Sequence, residues 1–366
     1  MVYRVLGLMS GSALDGLDIV FVEFQENGGK WQYEIIHGNT YPYSKEWIDK
    51  LRNAISLKAL DYQLLHVEYG HYIAGEVNKF IEEHKLDFKV QLIASHGHTT
   101  FHMPSKHMTG QLGDGASIAA LTGINVVSDL RAIDMALNGH GAPIVPIGEK
   151  LLLADYDLFL NIGGIMNVSY NKPNEYTAFD VCPANRVMNM LAQKLGSEYD
   201  FDGKFARSGT LRPDLLKQLN SLEYYKLPYP KSLANDFGTD VIYPMVAKSG
   251  YSIEDGLCTF AEHMAMQLKA SLEEVLNGEE NVRKRILVTG GGAHNSFVIE
   301  RLSAHLAEIG VEVVVPDKVL VNFKEALIMG LIGVLRWREE VNVMSSVTGA
   351  DRDSIGGAVW VGQAWN

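Results

Sequence analysis

The fold is decided by residues 3–24, which read Tyr-Arg-Val-Leu-Gly-Leu-Met-Ser-Gly-Ser-Ala-Leu-Asp-Gly-Leu-Asp-Ile-Val-Phe-Val-Glu-Phe. Two apolar runs flank a turn of small residues, and this pattern predicts a β-hairpin. Residues 158–170 repeat the pattern around a Gly-Gly pair. A third apolar run, residues 286–288, meets a run of glycines and then a helical pattern over residues 296–306. The chain therefore carries two glycine-turned hairpins and one strand-to-helix glycine junction.

Glycine turns suit phosphate binding because the missing Cβ lets an anion approach successive backbone N–H groups. We predict that the two hairpins contact the phosphates of a nucleotide and that the glycine junction lies near its adenosine. The motif is neither a P-loop nor a Rossmann fingerprint, since no lysine follows the glycines and the spacing differs. An ordinary tight turn is the alternative for the first hairpin taken alone.

This combination of elements resembles the superfamily of actin, sugar kinases and heat-shock chaperone ATPases. Residues 7–9, Gly-Leu-Met, replace the aspartate that usually opens the first phosphate motif. The resemblance implies the α/β class, with two actin-like (ribonuclease-H-like) lobes of mixed sheets flanked by helices and a cleft between them. We place the N-terminal lobe at residues 1–130 plus 344–366 and the C-terminal lobe at residues 131–343. The glycine-rich residues 138–143 are interpreted as a hinge or crossover.

Composition and charge narrow the class of protein. A length of 366 residues favours two domains, and 47% hydrophobic with 21% charged residues is typical of an ordered chain. A net charge of -12 disfavours nucleic-acid binding. A small phosphorylated ligand is still compatible with this charge, because backbone N–H groups and a divalent cation offset the field locally.

The compartment is predicted from the cysteines and from the lack of targeting signals. Cys182 and Cys258 lie far apart and indicate neither a disulfide framework nor a zinc site. Residues 1–18 lack the pattern of an export signal. The apolar run at residues 326–335 is about half of the ~20 residues that a membrane span needs, and we interpret it as a buried helix. We therefore expect a cytoplasmic protein with no membrane partner.

Carboxylates lie beside the predicted turns. Asp15 and Asp18 adjoin the first hairpin and favour a metal-phosphate site there. Asp180 precedes Pro183, where we predict the start of a helix. A carboxylate in that position is a candidate general base, and a helix cap is the alternative.

A histidine-rich segment, residues 95–102, follows a buried strand predicted at residues 90–95. We expect its side chains to emerge together at the carboxyl end of that strand, where clefts form. His96 and His98, with His102 and Asp114 completing the set, allow an alternative interpretation as a metal hydrolase. Histidines that hydrogen-bond a sugar, or that are satisfied within a loop, are the other interpretations.

In order along the chain, these segments resemble the signature stretches of the anhydro-N-acetylmuramic acid kinases, and the match runs nearly end to end. Residues 9–18 are similar to the family's M-S-G-T-S-x-D-G-x-D ATP loop, and residues 95–99 to its S-H-G-Q-T motif. Residues 111–115 match Q-L-G-D-G, and residues 161–167 resemble N-I-G-G-I-x-N. Further blocks that fit are residues 127–131, 141–143, 199–203, 230–232, 290–295, 325–327 and 347–350.

The resemblance implies a reaction and a site. Members open the 1,6-anhydro bridge of anhydro-N-acetylmuramic acid with water and phosphorylate O6 from ATP with Mg²⁺, which serves cell-wall recycling. The base of the family is the Asp of its D-T-G-P-G-N motif, which corresponds to residues 180–185 here and places the base at Asp180. Asp15 is the implied Mg²⁺ contact, and Arg131 and Glu325 are our choices for the N-acetyl and lactyl groups. The implied ATP site comprises Gly11, Ser12, Ala13, Leu14, Asp15, Gly16, Leu17, Asp18, Asn161, Gly163, Gly164, Gly290, Gly291 and Gly292. The implied sugar site comprises Ser95, His96, Gly97, His98, Arg131 and Glu325. We expect a small amino-sugar substrate and a homodimer.

Three departures from the family pattern are informative. Residues 12–13 read Ser-Ala where the family has Thr-Ser, and His98 stands for glutamine. Cys182 and Ala184 replace glycines beside Asp180 and add Cβ atoms, which predicts strain if the backbone there needs positive φ and a different pocket if it lies very close to the ligand. The alternatives are therefore a kinase for another anhydrosugar or amino sugar, and a relative that binds nucleotide or sugar without catalysis.

Overall fold

The computed structural model describes residues 1–11, 14–172, 176–229, 231–233, 236–277 and 283–362. The chain divides into two compact units, one formed by Met1–Ala154 with Phe323–Asn366 and the other by Asp155–Asn322. The predicted boundaries after residues 130 and 343 both fall inside the first unit, and so does the predicted hinge at residues 138–143.

Hydrogen bonds explain why residues 131–154 belong to the first unit. The buried Asp134 carboxylate accepts hydrogen bonds from the Gly141 N–H at 2.7 Å and from the Thr348 hydroxyl at 2.6 Å. The glycine-rich segment is therefore tied to the end of the chain within one unit. A glycine pattern alone does not reveal such a tie, because it depends on a residue 214 positions away from Asp134.

The strands, in chain order, are β1 (Val2–Ser10), β2 (Gly16–Asn27), β3 (Lys30–Pro42), β4 (Leu92–Met103), β5 (Met108–Leu112), β6 (Val126–Ser128), β7 (Leu158–Ile162), β8 (Ile165–Asn171), β9 (Tyr176–Pro183), β10 (Lys284–Thr289), β11 (Val311–Val314) and β12 (Ala358–Trp360). The helices are α1 (Lys45–Asn53), α2 (Ala59–Glu83), α3 (Gly115–Thr122), α4 (Ala132–Ala136), α5 (Pro146–Leu152), α6 (Asn185–Gln193), α7 (Lys204–Ser208), α8 (Pro213–Asn220), α9 (Tyr243–Ala247), α10 (Ile253–Val275), α11 (Ser296–Ala307), α12 (Lys318–Trp337) and α13 (Ser345–Thr348). Both predicted hairpins are confirmed, as β1–β2 and β7–β8.

The two sheets share one topology. In the first unit the order is β12-β6-β4-β1-β2-β3, with β5 paired to β4; β1, β4 and β6 are parallel, and β2 and β3 run antiparallel to their neighbours. In the second unit the order is β11-β10-β7-β8-β9, with β7, β10 and β11 parallel. A hairpin meander extended on its first strand by two parallel strands thus occurs twice. This repeated order is the ribonuclease-H-like arrangement, and it confirms the predicted fold class.

Some elements differ from the prediction. The strand expected at residues 90–95 continues through the histidine-rich segment to Met103 as β4. A third strand, β9, contains Asp180 and ends at Pro183, so the following helix begins at Asn185 and Asp180 does not cap it. The apolar run at residues 326–335 is a buried part of α12, as predicted. Within the described ranges, no helix is both long enough and apolar enough to cross a bilayer.

The helix α12 packs on the first sheet through small residues. A Cβ on Gly7 of β1 would stand 2.9 Å from the Gly330 amide nitrogen and closer still to the Ala326 carbonyl oxygen. A Cβ on Gly333 would likewise run into Ala94 of β4. The close approach of helix and sheet therefore requires glycine at these positions. It also fixes where Glu325, next to Ala326, meets the sheet.

We expect Gly7→Ala to lower the free energy of unfolding by about 1–3 kcal/mol, because the added methyl group forces α12 off β1. Gly75→Ala is the matched control, since a Cβ at this exposed position of α2 meets no atom within 4 Å. The control should stabilise the protein slightly, by up to about 1 kcal/mol, because alanine favours helix. Urea denaturation of both variants tests this, and equal midpoints would contradict the proposed packing.

Candidate active site

The predicted site residues fall in both units. Those from the first hairpin, the histidine-rich segment, Arg131 and Glu325 belong to the first unit. Those from the second hairpin, Asp180 and the glycine junction belong to the second. Ser12 and Ala13 lie outside the described residues.

The turn of the first hairpin has an irregular backbone. Leu14 adopts φ 58°, and its N–H donates to the Gly11 carbonyl at 3.4 Å. Asp15 is exposed, and its Oδ1 accepts the Gly16 N–H at 3.1 Å. The Leu17 side chain is 0% exposed in the core, so a ligand can meet this residue only through its backbone.

Asp18 carries the most perturbed carboxyl of this turn. Burial raises its pKa to about 7, the nearby charges of Asp15 and Glu325 add to the rise, and a hydrogen bond from Thr40 at 2.5 Å opposes it. The three carboxyls therefore create a local negative potential that a cation would relieve. Within the described ranges, no group of three or more metal-binding side chains converges. A Mg²⁺ ion here would depend on phosphate oxygens as well as on one or two carboxylates.

His96 is buried and neutral. The Arg131 Nε donates to its Nε2 at 2.8 Å, so its Nδ1 carries the proton and donates to the Gly97 carbonyl at 2.9 Å. Burial, together with the Arg131 charge, lowers the pKa of His96 to about 3. The Arg131 Nη1 donates to the Gly141 carbonyl at 2.6 Å, whereas its Nη2 has no hydrogen-bond partner in the described part of the chain. Arg131 can therefore still bind an anionic or carbonyl oxygen.

His98 ends a buried chain of hydroxyl groups. The Tyr43 hydroxyl donates to Ser10 Oγ at 2.7 Å, and Ser10 Oγ lies 3.0 Å from His98 Nδ1. Because the single Tyr43 proton is used on Ser10, the Tyr69 hydroxyl, 2.5 Å from that of Tyr43, is the donor to Tyr43. Among the hydrogen bonds of the described residues, His98 Nδ1 is the acceptor left for the buried Ser10 proton, so Ser10 donates to Nδ1 and the proton of neutral His98 lies on Nε2. The chain therefore presents His98 as an N–H donor, and burial lowers its pKa to about 4.

These contacts do not support a metal hydrolase. The two imidazoles hydrogen-bond different partners, Arg131 and Ser10, and both lie within β4 rather than beyond its carboxyl end. Asp114 is used as the N-cap of α3, where it accepts the Ser117 N–H at 2.8 Å. His96 is thus hydrogen-bonded at both ring nitrogens, and His98 is hydrogen-bonded at Nδ1.

Ser95, Gly97 and Glu325 complete the predicted sugar site. Ser95 is 1% exposed, and its Oγ has no hydrogen-bond partner among the described residues. Gly97 has φ 72°, and a Cβ there would run into the Leu112 carbonyl oxygen. Burial raises the pKa of Glu325, and the charges of Lys324 and Arg131 oppose the rise.

In the second unit, the glycine turns lie at the ends of neighbouring parallel strands. Thr289 of β10 is paired with Asn161 of β7. The Gly163–Gly164 turn and the 290–292 junction, which come directly after these strands, therefore lie next to each other. Gly290 has φ 83°, and a Cβ there would run into Asn161 and Ile162. The structure therefore brings Asn161 together with the glycines of both turns.

Asn185 is a candidate site residue that the sequence analysis missed. Its Nδ2 donates to the Ile162 carbonyl at 2.9 Å, and its backbone N–H donates to the Gly163 carbonyl at 3.0 Å. Its side chain also lies against Gly291 and Gly292. Asn185 thus ties the first turn of α6 to both glycine turns. The sequence feature that could have identified Asn185 is its position at the end of residues 180–185, which resemble D-T-G-P-G-N.

Asp180 lies beside a β-bulge between β8 and β9, a feature that often occurs next to active sites. Its Oδ2 accepts the Leu233 N–H at 2.8 Å. Its Oδ1 has no hydrogen-bond partner among the residues that the structure describes. Burial raises the pKa of Asp180, and the Leu233 hydrogen bond opposes the rise. One carboxylate oxygen is therefore anchored while the other can take a proton.

The substitutions beside Asp180 cause no strain of the predicted kind. Cys182 is fully buried in β9, and Ala184 has φ -138°, so neither residue adopts positive φ. The glycines of the family pattern are therefore not needed here for backbone conformation. The expectation of strain at these two residues was wrong.

Comparison with known proteins gives one family. Residues 3–362 match the family model described as Anhydro-N-acetylmuramic acid kinase. Relatives of that name include one from Photobacterium profundum, 32% identical over 377 residues, which cover 98% of each chain. Another, from Hydrogenovibrio crunogenus, is 32% identical over 368 residues, or 97% of each chain. A solved structure, the activator of the 2-hydroxyisocaproyl-CoA dehydratase from Clostridium difficile with bound ADPNP, is 14% identical with a TM-score of 0.44. It covers 92% of this chain and 96% of its own.

We expect His98 to be the Nε2–H tautomer, because Ser10 donates to its Nδ1. Nitrogen-15 NMR of histidine-labelled protein reads the tautomer directly, and His98→Gln identifies the signal. Ser10→Ala should let the Nδ1–H form appear, since the donor to Nδ1 is lost. Ser56→Ala, at an exposed serine of the same unit, is the matched control and should leave the His98 signal unchanged. A dominant Nδ1–H form in the unaltered protein would contradict the hydroxyl chain.

Proposed function

Since the chain belongs to the family of anhydro-N-acetylmuramic acid kinases, we propose that Asp180 is the general base of its reaction. As a member of this family it is a carbohydrate kinase of cell-wall recycling that uses ATP. The observation that carries the proposal is the state of the Asp180 carboxylate. One oxygen is held by the Leu233 N–H and the other is unbonded within the described residues.

The proposed reaction couples ring opening to phosphorylation. Asp180 takes a proton from a water molecule as the water oxygen bonds to the anomeric carbon of the anhydrosugar. The bond between that carbon and O6 breaks, and the electron pair remains on O6. O6 then bonds to the γ-phosphorus of ATP, and ADP leaves. The products are N-acetylmuramic acid 6-phosphate and ADP, and the base needs no covalent intermediate.

We assign ATP binding to the glycine turns. Backbone N–H groups of residues 11–18 and of the Gly163–Gly164 turn would contact phosphate oxygens, and residues 290–292 would lie against the adenosine. Gly290 and Gly292 pack closely against Asn161 and Ile162, which holds the 290–292 junction beside the Gly163–Gly164 turn. Mg²⁺, when bound, would neutralise phosphate charge, with Asp15 and Asp18 as the carboxylates able to hold it.

We assign sugar binding to the polar cluster of the first unit. Arg131 has an unbonded Nη2, and His98 has an unbonded Nε2–H within the described residues, so both can donate to sugar oxygens. Arg131 suits the lactyl carboxylate because its guanidinium stays charged; burial lowers its pKa to about 10, still well above neutrality. Glu325 can accept a hydrogen bond from the N-acetyl N–H. We also propose that the protein is a cytoplasmic homodimer.

We expect Asp180→Asn to reduce turnover by roughly 10²–10⁴-fold, because the amide cannot take the proton from water. Release of ADP with anhydro-N-acetylmuramic acid measures the turnover, and calorimetry should show that nucleotide still binds. Asp155→Asn, at an exposed aspartate of the same unit, is the matched control and should be fully active. Unchanged turnover in Asp180→Asn would refute the assignment.

The pH dependence of kcat should report the same group. Burial raises the pKa of Asp180 above the ordinary 3.8, and the base works only when ionised, so kcat should fall as the pH is lowered through this raised value. At higher pH the carboxylate is fully ionised, so its titration causes no further change in kcat. The residual activity of Asp180→Asn should lack the acid limb. An unchanged limb in that variant would assign it to another group.

A further inference from the structure

Tyr224, Lys231 and Leu233 hydrogen-bond three different groups of Asp180. The Tyr224 hydroxyl donates to the Asp180 carbonyl at 2.6 Å, and the Asp180 N–H donates to the Lys231 carbonyl at 2.9 Å. The Leu233 N–H donates to the carboxylate at 2.8 Å. One short segment thus binds the carbonyl, the N–H and one carboxylate oxygen of a single residue. These three hydrogen bonds fix both the backbone and the side chain of Asp180.

The Tyr224 ring is itself held in place. Its centroid lies 5.5 Å from the rings of Tyr225 and Phe237, and the Lys231 Nζ lies 5.0 Å from the ring centroid. Tyr224 and Tyr225 belong to the same 3₁₀ turn, Glu223–Lys226. The position of the Tyr224 hydroxyl therefore depends on where this turn is anchored.

The anchor is a buried polar network on α10. His263, which is 0% exposed, has its Nε2 2.9 Å from the Tyr225 hydroxyl and its Nδ1 2.6 Å from Asn220 Oδ1. Gln267 donates to the same Asn220 oxygen at 2.9 Å, so this oxygen is an acceptor and His263 Nδ1 is the donor. His263 Nε2 therefore accepts from Tyr225. Burial lowers the pKa of His263 to about 3, so the ring stays neutral in this arrangement.

We propose that Tyr224 and His263 are positioning residues for Asp180: His263 holds the 3₁₀ turn through Tyr225, and Tyr224 holds the backbone of the base. This inference rests on the proposed role of Asp180. The network reaches the carbonyl of Asp180 and not its carboxylate, so its effect is on the geometry of the base rather than on its ionisation. Within the described residues, no hydrogen bond or ring contact joins it to the glycine turns assigned to ATP.

The alternative is that these polar groups only satisfy one another in the core. That role predicts lower stability with no selective effect on the chemical step. A positioning role predicts a lower kcat at unchanged KM for ATP, and an effect that requires the carboxylate of Asp180. The two roles therefore differ in a measurement other than stability.

The first test is Tyr224→Phe, which removes one hydroxyl and keeps the ring. We expect kcat to fall roughly 5- to 10-fold, the usual effect of losing one such hydrogen bond, with KM for ATP and the acid limb of the pH profile unchanged. Tyr251→Phe is the matched control, because its hydroxyl bonds Asp214 at an exposed site of the same unit. The control should keep full activity. Equal kcat for Tyr224→Phe and the control would overturn the proposal.

The second test repeats Tyr224→Phe in an Asp180→Asn background. Without the base, the tyrosine change should cause no further loss of turnover. Full activity of Asp180→Asn alone would refute the proposed function itself. If Asp180→Asn is impaired and Tyr224→Phe still lowers turnover by roughly 5- to 10-fold on top of it, the role of Asp180 stands and the positioning role fails.

The third test addresses His263. His263→Gln keeps an acceptor for the Tyr225 hydroxyl, whereas His263→Leu removes it, so glutamine should retain more turnover than leucine. In combination with Tyr224→Phe, His263→Leu should lower turnover by less than the product of the two separate effects, because both act on the same turn. If the loss of turnover in the double variant equals the product of the two separate losses, the two residues act independently and the proposed link between them is wrong. If the leucine variant does not fold, the tests on Tyr224 still decide the proposal.

Discussion

The close packing of α12 on β1 and β4 is the contact on which the first half of the candidate site depends. Because Gly7, Gly330 and Gly333 have no side chain, the backbone of α12 comes into direct contact with the first sheet. Glu325 precedes the tightest of these contacts, so its carboxyl is placed where it acts on Asp18 and Arg131. Side chains at the glycine positions would move the helix and separate these charges. Packing of small residues therefore sets the electrostatics of the site.

The polar groups of the site are buried, and they are kept in defined states by hydrogen bonds. His96 and His98 are both neutral, yet their protons lie on different nitrogens because Arg131 donates to one ring and Ser10 to the other. In the second unit, the neutral His263 donates from Nδ1 to Asn220 and accepts at Nε2 from Tyr225. Buried polar groups are costly unless paired, so these hydrogen bonds favour a single geometry of each ring. The charge that remains lies on the Arg131 guanidinium and on the carboxylates, which are the groups proposed to bind an anion, take a proton or hold a cation.

Much of the fold could be predicted from local pattern. The two hairpins and the helix after the 290–292 junction were found because apolar runs and glycines report them directly. The sequence analysis missed β9, the third strand of the second unit. The segment around Asp180 contains a proline and a β-bulge, which interrupt the regular alternation of apolar and polar residues expected of a strand. Tyr224 carries no local signal of the role proposed for it, and Asn185 carries only its place at the end of residues 180–185. They act through hydrogen bonds to residues 23 and 44 positions away.

By itself, the sequence determined the class of the fold, the family and the identity of the residues able to donate backbone amides or take a proton. These follow from residue type and order, which do not depend on folding. The tertiary structure alone decided which imidazole nitrogen carries a proton, which oxygen of Asp180 accepts the Leu233 N–H and which distant tyrosine donates to the Asp180 carbonyl. The reason is physical: hydrogen-bond partners and burial are set by distances between segments far apart in the chain, and a linear pattern does not contain those distances.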